Sequence, residues 1–370
     1  MAASRGYDVT DNPSYRGGRP VWQAGSMHRL TAPLFLACCA LALAACTTPG
    51  DTPGTDPPVP DSAGTDGSTL NDDGGEVDSS VEPVRVASGP DPETALLAWT
   101  MAEMLELQGL TAEVVPFSDA RDARRALELG EVDVRPGYTG EAWLETLGRP
   151  DPPSEPGQSY VAVRDHDVSA GIIWLRPQLG EGIDEPPANA TFAFVVRGPP
   201  SVDADIRTMS QLASRLSEQP DAVVCVDQEF GNRPDGLPAV LSAYSVRSDR
   251  PFLAADPNEA VLGVAAGDCL AGLTTATDGA AWRAGLRPLV DDLRVFPAFV
   301  PLPQIRIDAA TARPLIRVAL GPMSAELTTG SLGRWNARMA AGEPVEQVAA
   351  DAARVLFERA GRELPVEPDA

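Results

Sequence analysis

Lysine is missing altogether from this 370-residue chain: all 29 basic side chains are arginine, set against 53 aspartates and glutamates for a formal charge of −24. The missing lysine reads as coding bias. The surplus of acid excludes a nucleic-acid partner, whose phosphates a protein meets with positive charge. Histidine is nearly missing too, with only His28 and His166. That leaves cysteine-protease chemistry and zinc sites without their usual partners. Also absent are a phosphate-cradling Walker loop, a dinucleotide glycine fingerprint after the first strand, an HExxH pair and a Gly-x-Ser-x-Gly elbow. No catalytic constellation, metal site or cofactor site is expected. An exported hydrolase survives only as a remote alternative, since no nucleophile–base pair can be named for it.

Long apolar runs are scarce. One stands out, "LTAPLFLACCALALAA" at 30–45, preceded by Arg29 and followed by Cys46. It falls short of the ~20 apolar residues a membrane span needs. A basic start, a short apolar core and small residues before the cysteine are the pattern of a cleaved signal peptide. Leu43-Ala44-Ala45-Cys46 resembles a bacterial lipobox, which implies a lipid on Cys46 and a tether to the outer face of the cell membrane. The expected signal segment is 1–45, with Met27 a candidate for the true start; an uncleaved anchor is the alternative. Residues 46–83 follow as a Thr/Pro/Gly/Asp/Ser linker, too poor in apolar side chains to offset its ordering entropy. Cys38 and Cys39 leave with the signal and Cys46 is lipidated, so Cys225 and Cys269 remain in an oxidising compartment. A disulfide between them is expected; two separate buried thiols are the alternative.

From Val84 the chain alternates. "VRVAS" (84–88), "AEVVPF" (112–117) and "EVDVR" (131–135) read as strands. Between them lie a helix opened by Asp91-Pro92 and closed at Gly109, and another over 119–130 that ends on Gly130. This β-α-β-α-β order predicts a parallel sheet with crossover helices. A second block has strands at 190–196, 222–226 and 269–276 and helices at 235–246 and 257–267. Beyond Pro303 the chain is expected to be helical to its end, with an apolar stripe over 345–361. "VRDHDVSAG", with His166, reads as a solvated loop. In "DVRPGYTGEAW" (133–143) a strand is expected to stop at Pro136, leaving Tyr138 in a glycine-flanked loop where ligands of parallel sheets bind.

Four ordered landmarks carry a resemblance: "ALELGEVDVRPGYTG" (126–140), "IIWLRP" with "NATFAFVV" (172–196), "EFGNRPDGLPAVLSAYSV" (229–246) and "TTATDGAAWRAGLRPLVDDLRVFPAFVPLP" (274–303). From about Val84 to Leu364 the chain resembles the substrate-binding proteins of osmoprotectant ABC transporters for glycine betaine, choline or carnitine. The resemblance implies an α/β, two-lobe periplasmic-binding-protein-like fold of type II. Lobe 1 would be 84–189 plus 302–368 and lobe 2 would be 190–301, joined by two crossovers, with the C-terminal helices returning to lobe 1. It implies a monomer with no enzymatic activity that holds a small cationic solute between the lobes and hands it to a membrane permease. A surface lipoprotein that has lost transport and serves as sensor or scaffold is the alternative.

A quaternary ammonium donates no strong hydrogen bond and is recognised by aromatic faces. The resemblance places such faces at Tyr138, Phe192 and Phe299; Trp143 and Trp174 are weaker candidates. Thr139 follows Tyr138 in the same motif. Arg233, before Pro-Asp-Gly, is the expected partner for a ligand carboxylate, unless Glu229 or Asp235 holds it. Near the first strand the family commonly has Gly-Ser-Lys, and here "ASGPDPE" (87–93) has no cation. Glu141 stands where the family often has threonine. An anion there favours a bare cation, so the expectation leans from glycine betaine towards choline-like ligands, although Glu141 also suits a helix start on dipole grounds alone.

Overall fold

The structure, a computed structural model, describes residues 82–179, 186–234, 236–247 and 252–362. The signal segment, Cys46, nearly all of the linker, Asp235 and residues 363–368 lie outside the described residues. Among those described, no helix is long and apolar enough to cross a membrane.

The first lobe opens with β1 (Val84–Ser88), α1 (Pro92–Glu106), β2 (Ala112–Pro116), α2 (Ala120–Leu129) and β3 (Val134–Tyr138). The helices α3 (Thr139–Glu145) and α4 (Pro156–Ser169) follow, then β4 (Ile172–Trp174). A crossover leads to the second lobe: β5 (Phe192–Arg197), α5 (Met209–Glu218), β6 (Val224–Val226), α6 (Gln228–Asn232), α7 (Leu237–Ala243), β7 (Leu253–Ala254), α8 (Pro257–Ala266), β8 (Ala271–Thr275), α9 (Gly279–Arg283) and β9 (Leu286–Pro288). The return gives β10 (Pro301–Arg306), α10 (Ile307–Ala312), α11 (Leu315–Glu326), α12 (Thr329–Ala340) and α13 (Val345–Arg359).

The two sheets run β2-β1-β3-β10-β4 and β7-β6-β8-β5-β9. In each, the first three strands are parallel and the fourth is antiparallel to both its neighbours. That fourth strand, β10 or β5, is the one that has just arrived from the other lobe. The α/β two-lobe architecture expected from the sequence is therefore present, with each lobe completed by a strand at the end of a crossover.

Local chemistry explains the element ends. Asp91 caps α1, its carboxylate accepting from the Thr94 amide at 2.9 Å, with Pro92 at the first helical position. Gly130 closes α2 in the left-handed region at φ 79°. The tail helix α13 returns to α1 and buries Val348, Ala349, Ala352, Ala353, Leu356 and Phe357 completely. Burying side chains as large as Leu356 or Phe357 contributes roughly 1.5–3 kcal/mol each. In the second lobe Cys225 of β6 and Cys269, just before β8, form a disulfide across 44 residues with a Cα–Cα distance of 5.9 Å.

Three local expectations need correction. The third strand does not stop at Pro136; it starts later and runs through Gly137 to Tyr138. Pro136 faces Pro303 of the antiparallel neighbour. Opposed residues in such a ladder alternate between pairs that exchange hydrogen bonds and pairs that do not, and two prolines fit the second kind without losing a donor. The segment after Pro303 is first a strand: its carbonyl accepts from the Leu175 amide at 3.1 Å, and helices begin only at Ile307. The polar stretch around His166 is the last part of α4, not a loop. Its Asp167 is fully enclosed and takes two bonds from Arg124, at 2.6 and 2.9 Å, and one from the Trp174 indole at 2.6 Å.

Candidate functional site

The carboxyl ends of β1, β3 and β8 point to a common region, and ligands of open α/β sheets bind beyond such ends. Tyr138 ends β3 there. Its hydroxyl donates to Glu93 Oε1 at 2.6 Å, and the Asn336 side-chain amide donates to Glu93 Oε2 at 2.6 Å. Asn336 also donates to the Thr277 carbonyl at 2.8 Å. Thr277 follows β8 of the second lobe, so the Glu93–Asn336 pair ties α1, β3 and α12 of the first lobe to a strand end of the second. Burial pushes the Glu93 carboxyl above its ordinary value, while the Thr277 side chain and the bonds from Tyr138 and Asn336 pull it back and Asp91 adds to the rise. Among the described residues no arginine forms an ion pair with Glu93.

Glu93 was not singled out in the sequence. It stands in the first turn of α1, where an acid reads as a complement to the helix dipole. Its partners Tyr138 and Asn336 are 45 and 243 positions away. The only available signal was the acidic "PDPE" at the place where a cation was expected.

The two glycines beside Tyr138 serve neighbours. A Cβ on Gly137 would collide with the Gln304 side chain. One on Gly140 would lie 2.7 Å from the Phe299 ring and 2.8 Å from the Ala298 carbonyl. The Phe299 ring thus seats over Gly140 on the return crossover. That crossover lies beside the outgoing one: the Ala190 amide donates to the Phe299 carbonyl at 2.9 Å, and the Phe299 amide to Asn189 Oδ1 at 2.7 Å. Phe192, two residues after Ala190, is half-buried with its ring 6.1 Å from Phe230 and 6.2 Å from Phe296. The structure therefore brings Tyr138 and Phe299 to one loop junction and sets Phe192 in an aromatic cluster at the start of β5.

The polar candidates have partners of their own. Thr139 is fully buried, its hydroxyl accepting from the Val300 amide at 3.1 Å. Glu141 lies 3.6 Å from Arg135, which is buried and also donates to the Pro136 and Ala120 carbonyls. Arg233 lies 3.7 Å from Glu229 and its guanidinium stands 6.0 Å from the Phe230 ring centroid. Of the weaker aromatic candidates, Trp174 is 2 % exposed and turned into lobe 1 towards Asp167, while Trp143 donates to the Pro150 carbonyl at 3.0 Å beneath Arg149. Among the described residues no group of three or more His, Cys, Asp or Glu side chains is placed to hold a metal ion.

The lobes also meet where α9 packs on α12. Two glycines make this close approach possible. A Cβ on Gly279 would collide with the Asn336 carbonyl, and one on Gly333 with the Trp282 indole. The indole is pinned by its bond to the Ala276 carbonyl at 2.9 Å. Further contacts between the lobes are the ion pair of Glu155 with Arg294 and the bond from Arg283 to the Ala340 carbonyl at 3.0 Å.

Residues 82–354 match the family model described as the substrate binding domain of ABC-type glycine betaine transport systems. The chain is 30% identical over 279 residues to the glycine betaine-binding protein YehZ of Escherichia coli K12, covering 73% of this chain and 89% of that one. It is 26% identical over 278 residues to a glycine-betaine-binding protein of Pseudomonas aeruginosa PAO1, covering 73% and 86%. The solved structure of apo YehZ from E. coli superposes with a TM-score of 0.67 at 28% identity, over 76% of this chain and 99% of that chain. A glycine betaine/carnitine/choline ABC transporter structure superposes with a TM-score of 0.63 at 17% identity, over 74% and 98%.

Proposed function

The chain belongs to the family of substrate-binding domains of ABC-type glycine betaine transport systems, and from that premise we propose that it captures a quaternary-ammonium solute between its lobes and presents it to a membrane permease. The observation that carries the reading is Tyr138, an aromatic ring held at the meeting point of the strand ends by a hydroxyl bond to Glu93 at 2.6 Å. A hydroxyl that donates to a carboxylate enriches the ring in electrons, which strengthens its attraction for a cation. Phe299 and Phe192 add further faces along the two crossovers. In this reading Thr139 braces the end of β3 beside Tyr138, and Glu141 and Arg233 stand at the rim of the site. The protein acts outside the cytoplasm as a monomer without catalytic activity, tethered by a lipid on Cys46. Its lobes are 84–189 with 302–368, and 190–301.

Isothermal calorimetry with choline, glycine betaine and carnitine tests it. At least one is expected to bind stoichiometrically, and Tyr138→Ala is expected to weaken that binding by about tenfold, the loss of one cation–π wall. Absence of heat with all three ligands overturns the reading.

A further inference from the structure

We infer that Glu93 is the residue that sets ligand preference by charge, its carboxylate serving as counter-ion to a solute that is a net cation and disfavouring one that also carries a carboxylate. The inference rests on the binding reading above and deepens it. Glu141, whose charge first suggested such a preference, faces Arg135 at 3.6 Å, so its charge is offset within lobe 1. Glu93 has no such offset among the described residues. Tyr138 and Asn336 hold its two oxygens through neutral donors.

A half-buried carboxylate with hydrogen bonds but no cation is an incomplete arrangement, because buried charge is ordinarily paired. A positive charge arriving with the ligand would pair it. Its place is next to the Tyr138 ring, where the aromatic face and the anion attract the same ammonium. A zwitterion brings its own carboxylate within a few bonds of that ammonium, and Glu93 repels it across a site of low effective dielectric. Choline, with a hydroxyl instead, avoids this cost. The bond from Asn336, which also reaches the Thr277 carbonyl, allows a simpler role for Glu93, as a tie between the lobes. The two roles separate cleanly, because a lost tie weakens every ligand alike and a lost counter-ion changes the ratio between ligands.

The test is calorimetric titration of the wild-type chain, Glu93→Gln and Glu93→Asp with choline and with glycine betaine at neutral pH, with circular dichroism and thermal unfolding to confirm that each variant folds. The wild type is expected to bind choline at least tenfold more tightly than glycine betaine. Glu93→Gln is expected to erase that ratio, losing choline affinity by tenfold or more while glycine betaine binding holds or improves. Glu93→Asp keeps the charge and should keep the direction of the preference, which also covers the case of a poorly folded glutamine variant. Equal loss for both ligands in Glu93→Gln, or a wild type that prefers glycine betaine, overturns the inference while leaving the binding reading intact. A wild type that binds neither ligand nor carnitine overturns the binding reading itself, and this inference with it.

Discussion

Asp167, fully buried, and Glu93, half-buried, are carboxylates with opposite pH behaviour. For Asp167 burial alone raises the pKa, but the Arg124 pair and the bonds from Trp174 and His166 outweigh it and hold the carboxyl below its ordinary value. Its stabilising contribution is therefore complete above the ordinary carboxylate range, near pH 4, and is lost as pH falls through the depressed value. Asp167→Asn removes the buried half of the Arg124 pair, leaving Arg124 only its exposed partner Glu128, and is expected to cost about 3 kcal/mol at pH 7. The gap to wild type should narrow as unfolding is followed below about pH 4. Glu93 has the reverse sign: its raised carboxyl costs stability above the folded pKa and regains it as pH falls through that value towards the unfolded one. Thermal unfolding of Glu93→Gln followed against pH should thus lack the decline that wild type shows as pH rises through the folded value. Neither residue's role was readable along the chain. Asp167 lay in a polar run whose helix has too little amphipathic pattern to declare itself. Glu93 needed two partners, Tyr138 and Asn336, brought in by the fold. Tyr138 was readable because the glycines around it are local, although they turned out to admit Gln304 and the Phe299 ring.

Elements were legible where one chemical signal settled them. The cap at Asp91-Pro92 and the glycine stop at Gly130 were visible because both act within a few residues. β10 was not, since its strand character comes from pairing with β3 and β4 on either side. The same pairing carried β3 past Pro136. The contact of α9 with α12 makes a prediction of its own. Gly333→Ala places a methyl against the pinned Trp282 indole. Overpacking of this kind costs about 1–3 kcal/mol. Because it falls between the lobes, titration should show ligand affinity reduced about tenfold with little change in the thermal unfolding of the ligand-free chain. The disulfide acts within one lobe. Closing a 44-residue loop contributes about 4 kcal/mol in the chain-entropy model. Denaturant unfolding of the Cys225→Ser, Cys269→Ser double variant should show a loss of this order, matched by wild type under reducing conditions.

At the scale of the whole molecule, the charge of −24 favours the approach of cations. A field of one sign raises the encounter rate of an oppositely charged solute and is screened by salt. Stopped-flow association of choline should slow as ionic strength rises from about 0.01 to 1 M, over which the Debye length shrinks from about 30 to 3 Å. Association of zwitterionic glycine betaine should change far less. The two-lobe plan was the most legible property of the sequence, since block, block and tail is a pattern of element order and survives errors in single strands. The seam between the lobes was the least legible, because Thr277, Trp282, Gly333 and Asn336 meet only after two separate sheets have formed. That seam has an optical consequence. Trp282 is the indole held against the opposite lobe, so parting the lobes wets it and leaves the buried Trp174 and Trp335 where they are. A red shift in tryptophan emission that disappears in Trp282→Phe would follow the angle between the lobes in real time, with no label attached.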